Sequence, residues 1–324
     1  MAERESRQSK FVYGPVPSRR LGRSLGINNI PPKSCSYSCI YCQVGPTHRQ
    51  EIIPRVFYSP EQILRAVEQQ LEASRKAGEG VDYLTFVPDG EPTLDINLAR
   101  AIELLRPLGI RIAVISNASL LWREEVRQVL QKADWVSVKV DSVNESIWRR
   151  INQPHTQLAL ATVLQGIQRF AEDYTGVLAT ETMLVAGIND DPQSIVEISD
   201  FLTTLAPHTA YLAAPIRPPA QHDVQAPGED VIVQAYGIMS ERLERVEYLI
   251  GYEGDSFSVS GDPKRDLLAI TAVHPMREEA VRQFLDKAGC DWGLIQELLA
   301  QSEIKEVEFA GHRFYMRTIK PADE

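Results

Sequence analysis

Apolar residues along the chain fall into two alternating rhythms. From residue 60 to about residue 76, Ile63, Leu64, Val67 and Leu71 recur at helical spacing, with Ser59 as N-cap and Pro60 just behind it. Residues 82–87 form a short, mostly apolar run of strand length. The alternation then repeats: helical patterns at 97–105, 124–130, 158–170 and 193–205 lead to strand patterns at 111–115, 135–140, 177–185 and 210–216. Counting a strand at 24–30, six strands are joined by helical crossovers. This pattern predicts an α/β fold with a parallel sheet wrapped by helices, and periodicity alone leaves a barrel and a doubly wound sheet both open.

The rhythm breaks around residues 254–264, where Gly251, Gly254, Gly261 and Pro263 mark a linker. Beyond it, a helical pattern at 276–288 places Ala280, Val281, Phe284, Leu285 and Ala288 on one face. A second helical pattern covers 292–300, and strands at 306–309 and 313–317 flank Ala310-Gly311-His312 as a hairpin. Two helices and a hairpin suggest a small winged-helix-like domain. The expected division is therefore residues 1–255, including a basic N-terminal extension, and residues 262–320 as a substrate-recognition unit.

Composition adds bounds. With 44% hydrophobic and 24% charged residues the 324-residue chain is globular in type, and no apolar run approaches the length that crosses a bilayer. Residues 1–10 are almost wholly polar, so a soluble, cytoplasmic protein is expected. The net charge of −10 argues against broad nucleic-acid binding, yet residues 1–35 hold seven Lys or Arg against two Glu. Arg19, Arg20 and Arg23 in that stretch either form a solvated tail or meet an anionic substrate. Residues 264–320 carry nine basic and nine acidic groups, which is not the footprint of a strong nucleic-acid module.

Three of the four cysteines, Cys35, Cys39 and Cys42, stand in a CxxxCxxC array with Tyr41 directly before the third. Three thiolates on one loop can hold three irons of a [4Fe–4S] cube and leave the fourth open. Zinc, with Cys290 as fourth ligand, is the alternative; zinc ribbons commonly use paired CxxC knuckles, which the chain lacks. On the strand at 135–140, Val136, Val138 and Val140 share one face while Ser137, Lys139 and Asp141 share the other. A polar face suits an active-site lumen, and a buried Lys139 needs a partner such as Asp141 or Glu181. That leaves Lys139 and Asp141 as catalytic candidates or as a structural pair.

The cysteine array, the segment 14–26 (GPVPSRRLGRSLG) and Asp89-Gly90-Glu91-Pro92-Thr93-Leu94 together resemble the radical S-adenosylmethionine enzymes. Within them the likeness is to the Fe–S oxidoreductases related to wyosine synthase, and it runs from about residue 11 to about residue 220. The resemblance implies a partial (β/α)6 barrel with its chemistry at the carboxyl ends of the strands. It implies a [4Fe–4S] cluster on Cys35, Cys39 and Cys42, and S-adenosylmethionine seated by Tyr41, Gly90, Glu91, Ser116, Asn117, Val185 and Gly187. The family's usual first glycine of the acidic turn is Asp89 here.

The same resemblance implies reductive cleavage of S-adenosylmethionine, hydrogen abstraction from a substrate, and an electron donor of flavodoxin or ferredoxin type. The substrate stays open between RNA, as for wyosine-synthase relatives, and a peptide or small metabolite. With one spare cysteine the chain cannot build a second three-cysteine cluster of the kind wyosine synthase uses. A reading of another class is a non-catalytic Fe–S sensor with a DNA-reading C-terminal unit; the acidic turn at 89–91 speaks against it, since a sensor needs no cofactor cradle.

Overall fold

The computed structural model describes residues 11–47, 49–250, 257 and 262–318; the N-terminal polar segment and most of the expected linker lie outside the described residues. Its strands are β1 (Val12–Ser18), β2 (Gly22–Ile27), β3 (Ser34–Cys35), β4 (Arg49–Gln50), β5 (Tyr83–Phe86), β6 (Arg111–Ser116) and β7 (Trp135–Lys139). They continue as β8 (Val177–Met183), β9 (Thr209–Ala213), β10 (Val246–Leu249), β11 (Met276–Arg277), β12 (Ile304–Phe309) and β13 (His312–Arg317). Eight of them form one curled sheet in the order β1-β2-β5-β6-β7-β8-β9-β10. All neighbours are parallel except β1, which runs antiparallel to β2. This is the expected partial barrel, enlarged by the antiparallel β1 and a further parallel strand, β10.

Alternation along the strands builds the barrel. Leu25, Ile27, Leu84, Phe86, Ile112, Val114, Val136 and Val138 point outward into the main core, where helices such as Pro60–Lys76 cover them. Ser59 precedes that helix as expected, but its hydroxyl bonds the Glu61 carboxylate at 2.6 Å and makes no side-chain cap. On the inner face Leu21, Tyr83, Ala113, Trp135, Ala179 and Tyr211 close the amino-terminal end of the barrel with an apolar plug. Above this plug the inward side chains become polar: Ser24, Thr85, Lys139 and Glu181. The sheet therefore offers a dry floor and a polar rim, the arrangement that concentrates a site at the strand ends.

After residue 261, helices Pro263–Val273, Glu278–Ala288 and Gly293–Ala300 pack on a three-stranded antiparallel sheet in the order β11-β13-β12. The expected helix at 276–288 loses its first two residues to β11, because Met276 and Arg277 pair with Tyr315 and Phe314. Phe257, Leu267, Ile270, Val281, Phe284, Ile295 and Tyr315 give this unit its own core. It also leans on the barrel: Val16 of β1 packs against that core, and Lys287 pairs with Glu79 at 2.5 Å.

Candidate active site

The cysteine loop is fastened by backbone hydrogen bonds at both ends. Cys35 ends β3, which pairs with β4, and the Glu51 amide donates to the Cys35 carbonyl at 3.0 Å. Further along, the Cys42 amide donates to the Cys39 carbonyl at 3.0 Å. Cys39 and Cys42 line a cavity of about 290 Å³ inside the barrel, while Cys35 sits beside Asn117. Asn117 Nδ2 lies 3.5 Å from Cys35 Sγ, and Asn152 Nδ2 lies 3.5 Å from Cys39 Sγ.

Burial pushes the Cys39 thiol up to about 12, with the Asp141 carboxylate adding to the effect and the Asn152 hydrogen bond opposing it. Cys35 is pushed up too, by burial and by the neighbouring Cys39 and Glu91. Such thiols lose their protons only to a cation, which iron supplies on coordination. Among the described residues no three Cys, His, Asp or Glu side chains converge where one ion would sit. A cube is held differently, with one thiolate to each of three irons, so ligands that share a loop and stand apart fit it. Cys290, the fourth zinc ligand of the alternative reading, packs against the C-terminal core with its thiol 3.8 Å from the Ala288 carbonyl.

The acidic turn locks onto this loop. The Lys33 amide donates to the Asp89 carbonyl at 2.8 Å and the Glu91 amide to the Ser34 carbonyl at 2.9 Å. Gly90 allows the approach, since a Cβ there would stand 2.0 Å from the Ser34 carbonyl oxygen. Glu91 is buried and fully engaged. Its carboxylate accepts from the Thr93 hydroxyl and amide at 2.6 and 3.1 Å, from the Ser116 hydroxyl at 2.7 Å and from the Asn117 amide at 2.7 Å. Glu91 therefore ties the second inner loop to the third, and Ser116 and Asn117 take their positions from it. Asn117 then donates to Ser36 Oγ at 2.9 Å, which closes the circuit back to the cysteines.

On the cavity wall, Lys139 Nζ donates to Glu181 Oε1 at 2.6 Å and lies 5.0 Å from the centre of the Tyr41 ring. Arg20 donates to the other Glu181 oxygen. Burial opposes charge on both sides of this pair, but the cations outweigh it and hold the Glu181 carboxyl down at about 2. Burial likewise favours a neutral Lys139, and the Glu181 and Asp141 carboxylates overcome it, so the ammonium is retained with a raised pKa.

Asp141 does not face the cavity. It accepts from the Tyr41 hydroxyl, from Asn152 Nδ2 at 2.7 Å and from the Met183 amide at 2.9 Å, behind the wall that Tyr41 forms. Because β7 ends at Lys139, strand alternation no longer governs Asp141. Val185 is buried against Ile40, Tyr41 and Ile151 in the same wall, and its amide donates to Asn189 Oδ1 at 2.8 Å. Gly187 is exposed at φ +67°, its amide bonded to Asp190 Oδ1 at 2.9 Å.

A second cavity of about 150 Å³ adjoins the first, sharing Arg20, Gln43, Val44, Val87 and Arg217 with it, and Asp89 and His274 also line it. Arg217 donates to Gln43 Oε1 at 3.0 Å and lies 3.0 Å from His274 Nε2, which brings the C-terminal unit to the rim. Burial, with Arg217 nearby, keeps His274 neutral, and burial raises the Asp89 carboxyl to about 7 against the pull of Lys33 and Arg317. Sequence reasoning missed Asn152 and His274, and left Arg20 undecided between a solvated tail and a substrate contact.

A partial parallel barrel with a thiol triad at its rim, a cradle of inner loops below the triad and a charged lumen defines a radical enzyme of the S-adenosylmethionine type. Residues 29–202 match the Radical SAM superfamily, and the chain belongs to it. Over 316 residues it is 46% identical to a UPF0026 protein of Methanocaldococcus jannaschii, covering 97% of this chain and 98% of the relative, so it is a member of the UPF0026 family. A probable dual-specificity RNA methyltransferase, RlmN, of Synechocystis is 24% identical over 68% of this chain and 62% of its own length.

Among solved structures, a radical SAM methyltransferase from Sphaerobacter thermophilus superimposes with a TM-score of 0.56 at 14% identity, covering 70% of this chain and 66% of that one. TYW1 with a lysine-pyruvate adduct bound gives 0.54 at 18% identity, covering 73% and 78%. These likenesses show the shared fold. The protein is thus an enzyme whose cofactors are a [4Fe–4S] cluster and S-adenosylmethionine, and Cys35, Cys39 and Cys42 fit the cluster.

Proposed function

We propose that the enzyme abstracts a hydrogen atom from an anionic substrate of RNA type held in the barrel lumen. Cys35, Cys39 and Cys42 would hold the cluster, which with bound S-adenosylmethionine would supply one-electron reductive cleavage of that cofactor and hydrogen-atom abstraction from substrate. The observation that carries the substrate class is the lumen charge, since Arg20 and Lys139 share the single carboxylate of Glu181. Arg20, Lys139 and Arg217 line the cavity against the Glu181 carboxylate and the Asp141 carboxylate buried behind the wall, a positive surplus that a phosphate or carboxylate of substrate neutralises. Apolar Val87, Met183, Ala213 and Leu249 complete the wall and keep water from the reacting centre.

The relation to an RNA methyltransferase favours RNA over a peptide. A cavity of about 290 Å³ excludes a helical duplex, so an RNA substrate would have to present a nucleotide turned out of its stack. The test is anaerobic purification followed by mass spectrometry of bound RNA, peptides and metabolites, with 5′-deoxyadenosine release measured after each fraction is added back. RNA that is bound and accelerates release supports the proposal; acceleration by peptides or small metabolites alone overturns it.

We propose further that residues 262–320 act as a separable recognition unit, since they carry their own core and none of the cluster or cofactor candidates. A protein truncated before Asp262 is expected to keep its cluster and its substrate-free release of 5′-deoxyadenosine with dithionite. Loss of that release at matched cluster content would assign His274 and its unit to the active site itself.

A further inference from the structure

Two side-chain amides stand on the sulfurs of the cysteine loop. Asn152, the last residue of helix Glu145–Asn152, is buried and places Nδ2 3.5 Å from Cys39 Sγ. Asn117, just past β6, places Nδ2 3.5 Å from Cys35 Sγ. Backbone hydrogen bonds fix both approaches. The Ser38 amide donates to the Asn152 carbonyl at 3.1 Å and the Ile40 amide to the Ile151 carbonyl at 2.9 Å, so the helix end is tied to the loop on either side of Cys39. The Asn117 amide is held by the Glu91 carboxylate at 2.7 Å.

A carboxamide can present its nitrogen or its oxygen, and here a third group decides each orientation. Asp141 Oδ2 accepts from Asn152 Nδ2 at 2.7 Å, and a carboxylate, which only accepts, demands the N–H side. One hydrogen goes to Asp141, and the other is left for Cys39. For Asn117 the selector is the Ser119 amide, which donates to Oδ1 at 3.0 Å and so turns Nδ2 toward Ser36 Oγ and Cys35. Asp141 is itself fixed, since the Met183 amide donates to its Oδ1 at 2.9 Å.

We propose that Asn117 and Asn152 are positioning residues that each hold an N–H on one cluster thiolate and so raise the reduction potential of the cluster, with Asp141 acting through Asn152. The inference rests on the assignment of the cluster to Cys35, Cys39 and Cys42. An N–H donor stabilises negative charge on sulfur, and the reduced cluster carries one electron more than the oxidised one, so the bond strengthens on reduction. Hydrogen bonds to the ligands of a metal site tune it in this way. The Asp141 charge taken alone works in the opposite direction, because a carboxylate near Cys39 opposes electron uptake. Its coupling to Asn152 therefore separates an orienting role from a purely electrostatic one.

Redox titration of cluster-loaded protein with dithionite, followed by electron paramagnetic resonance in the absence of S-adenosylmethionine, reads the potential with no turnover involved. The oxidised cluster takes one electron from the titrant, and no bond or proton changes. Asn152→Leu and Asn117→Ala are each expected to make reduction about tenfold less favourable, a shift of about 59 mV to lower potential for a one-electron couple. Asp141→Asn is made alone and in the Asn152→Leu background. The Met183 amide keeps an oxygen at position 141 on its own side, so the introduced amide nitrogen faces Asn152, which turns its oxygen to it and hence toward Cys39. Asp141→Asn should therefore raise the potential in the Asn152→Leu background, where only charge is lost, and raise it less or lower it where Asn152 is present. Equal shifts in the two backgrounds, or a wild-type potential in either asparagine variant, overturn the proposal. If the buried Asn152→Leu site takes up no cluster, Asn117→Ala, at a half-buried position, carries the test. A wild type that binds zinc in place of iron instead sinks the cluster assignment on which the inference rests.

Discussion

A Cys39→Ala protein is expected to fold, to hold far less than the about four irons of a complete cube, and to release no 5′-deoxyadenosine from S-adenosylmethionine and dithionite. Cys39 has no substitute. It is the middle member of the array, it lines the cavity, and its sulfur receives the Asn152 amide at 3.5 Å. The only other cysteine, Cys290, belongs to the C-terminal core. Folding should survive because Cys39 is only partly buried and the loop keeps its bonds from the Glu51 amide to Cys35 and from the Ile40 amide to Ile151. Iron and sulfide analysis, visible absorbance and chromatography of the nucleoside product check the three parts of this expectation. Cys290→Ala serves as control and should retain all of them. Cleavage that persists in the Cys39 variant would remove the cluster from the mechanism.

The parts of this site that were legible in the sequence are the local ones. The cysteine spacing and the acidic turn are contiguous, and the helix–strand rhythm between them makes parallel strands whose ends must meet at one rim. The strand β1 was not legible, because Pro15 and Pro17 read as breaks; an edge strand tolerates them. Helix Glu145–Asn152 also escaped, although Asn144 is an N-cap that accepts from the Ser146 and Ile147 amides. Asn152 then gains its meaning only by meeting Cys39, 113 residues away, and Asp141.

Strand register explains the remaining ambiguity. Asp141 and Glu181 were both available to Lys139 on paper, yet in the sheet Lys139 stands opposite Glu181, and the chain turns before Asp141 can reach the lumen. No pattern within one strand reveals what its neighbour places across from it. The same holds for Arg20, whose tail-like setting in sequence hides its place over the Tyr211 ring, 5.9 Å from its centre.

Replacing Glu181 by Gln should be among the most destabilising single changes in the lumen. Its removal leaves two buried cations, Arg20 and Lys139, with no carboxylate between them, and breaking a buried ion pair by deleting one partner costs about 3–5 kcal/mol. Lys139→Met should cost clearly less, because Arg20 and Glu181 then remain as a balanced pair. The pH dependence follows from the carboxyl, which is held at about 2 in the folded protein against an ordinary 4.5. A depressed carboxyl contributes stability that is fully present above its unfolded value and is lost as pH falls through the folded one. The stability gap between wild type and Glu181→Gln should therefore be constant near neutrality and shrink progressively from about 4.5 towards about 2. Urea unfolding of cluster-free protein at a series of pH values measures it. A gap that does not change over that window, or a Lys139→Met protein as unstable as Glu181→Gln, would show that the carboxylate does not hold the two cations in the lumen.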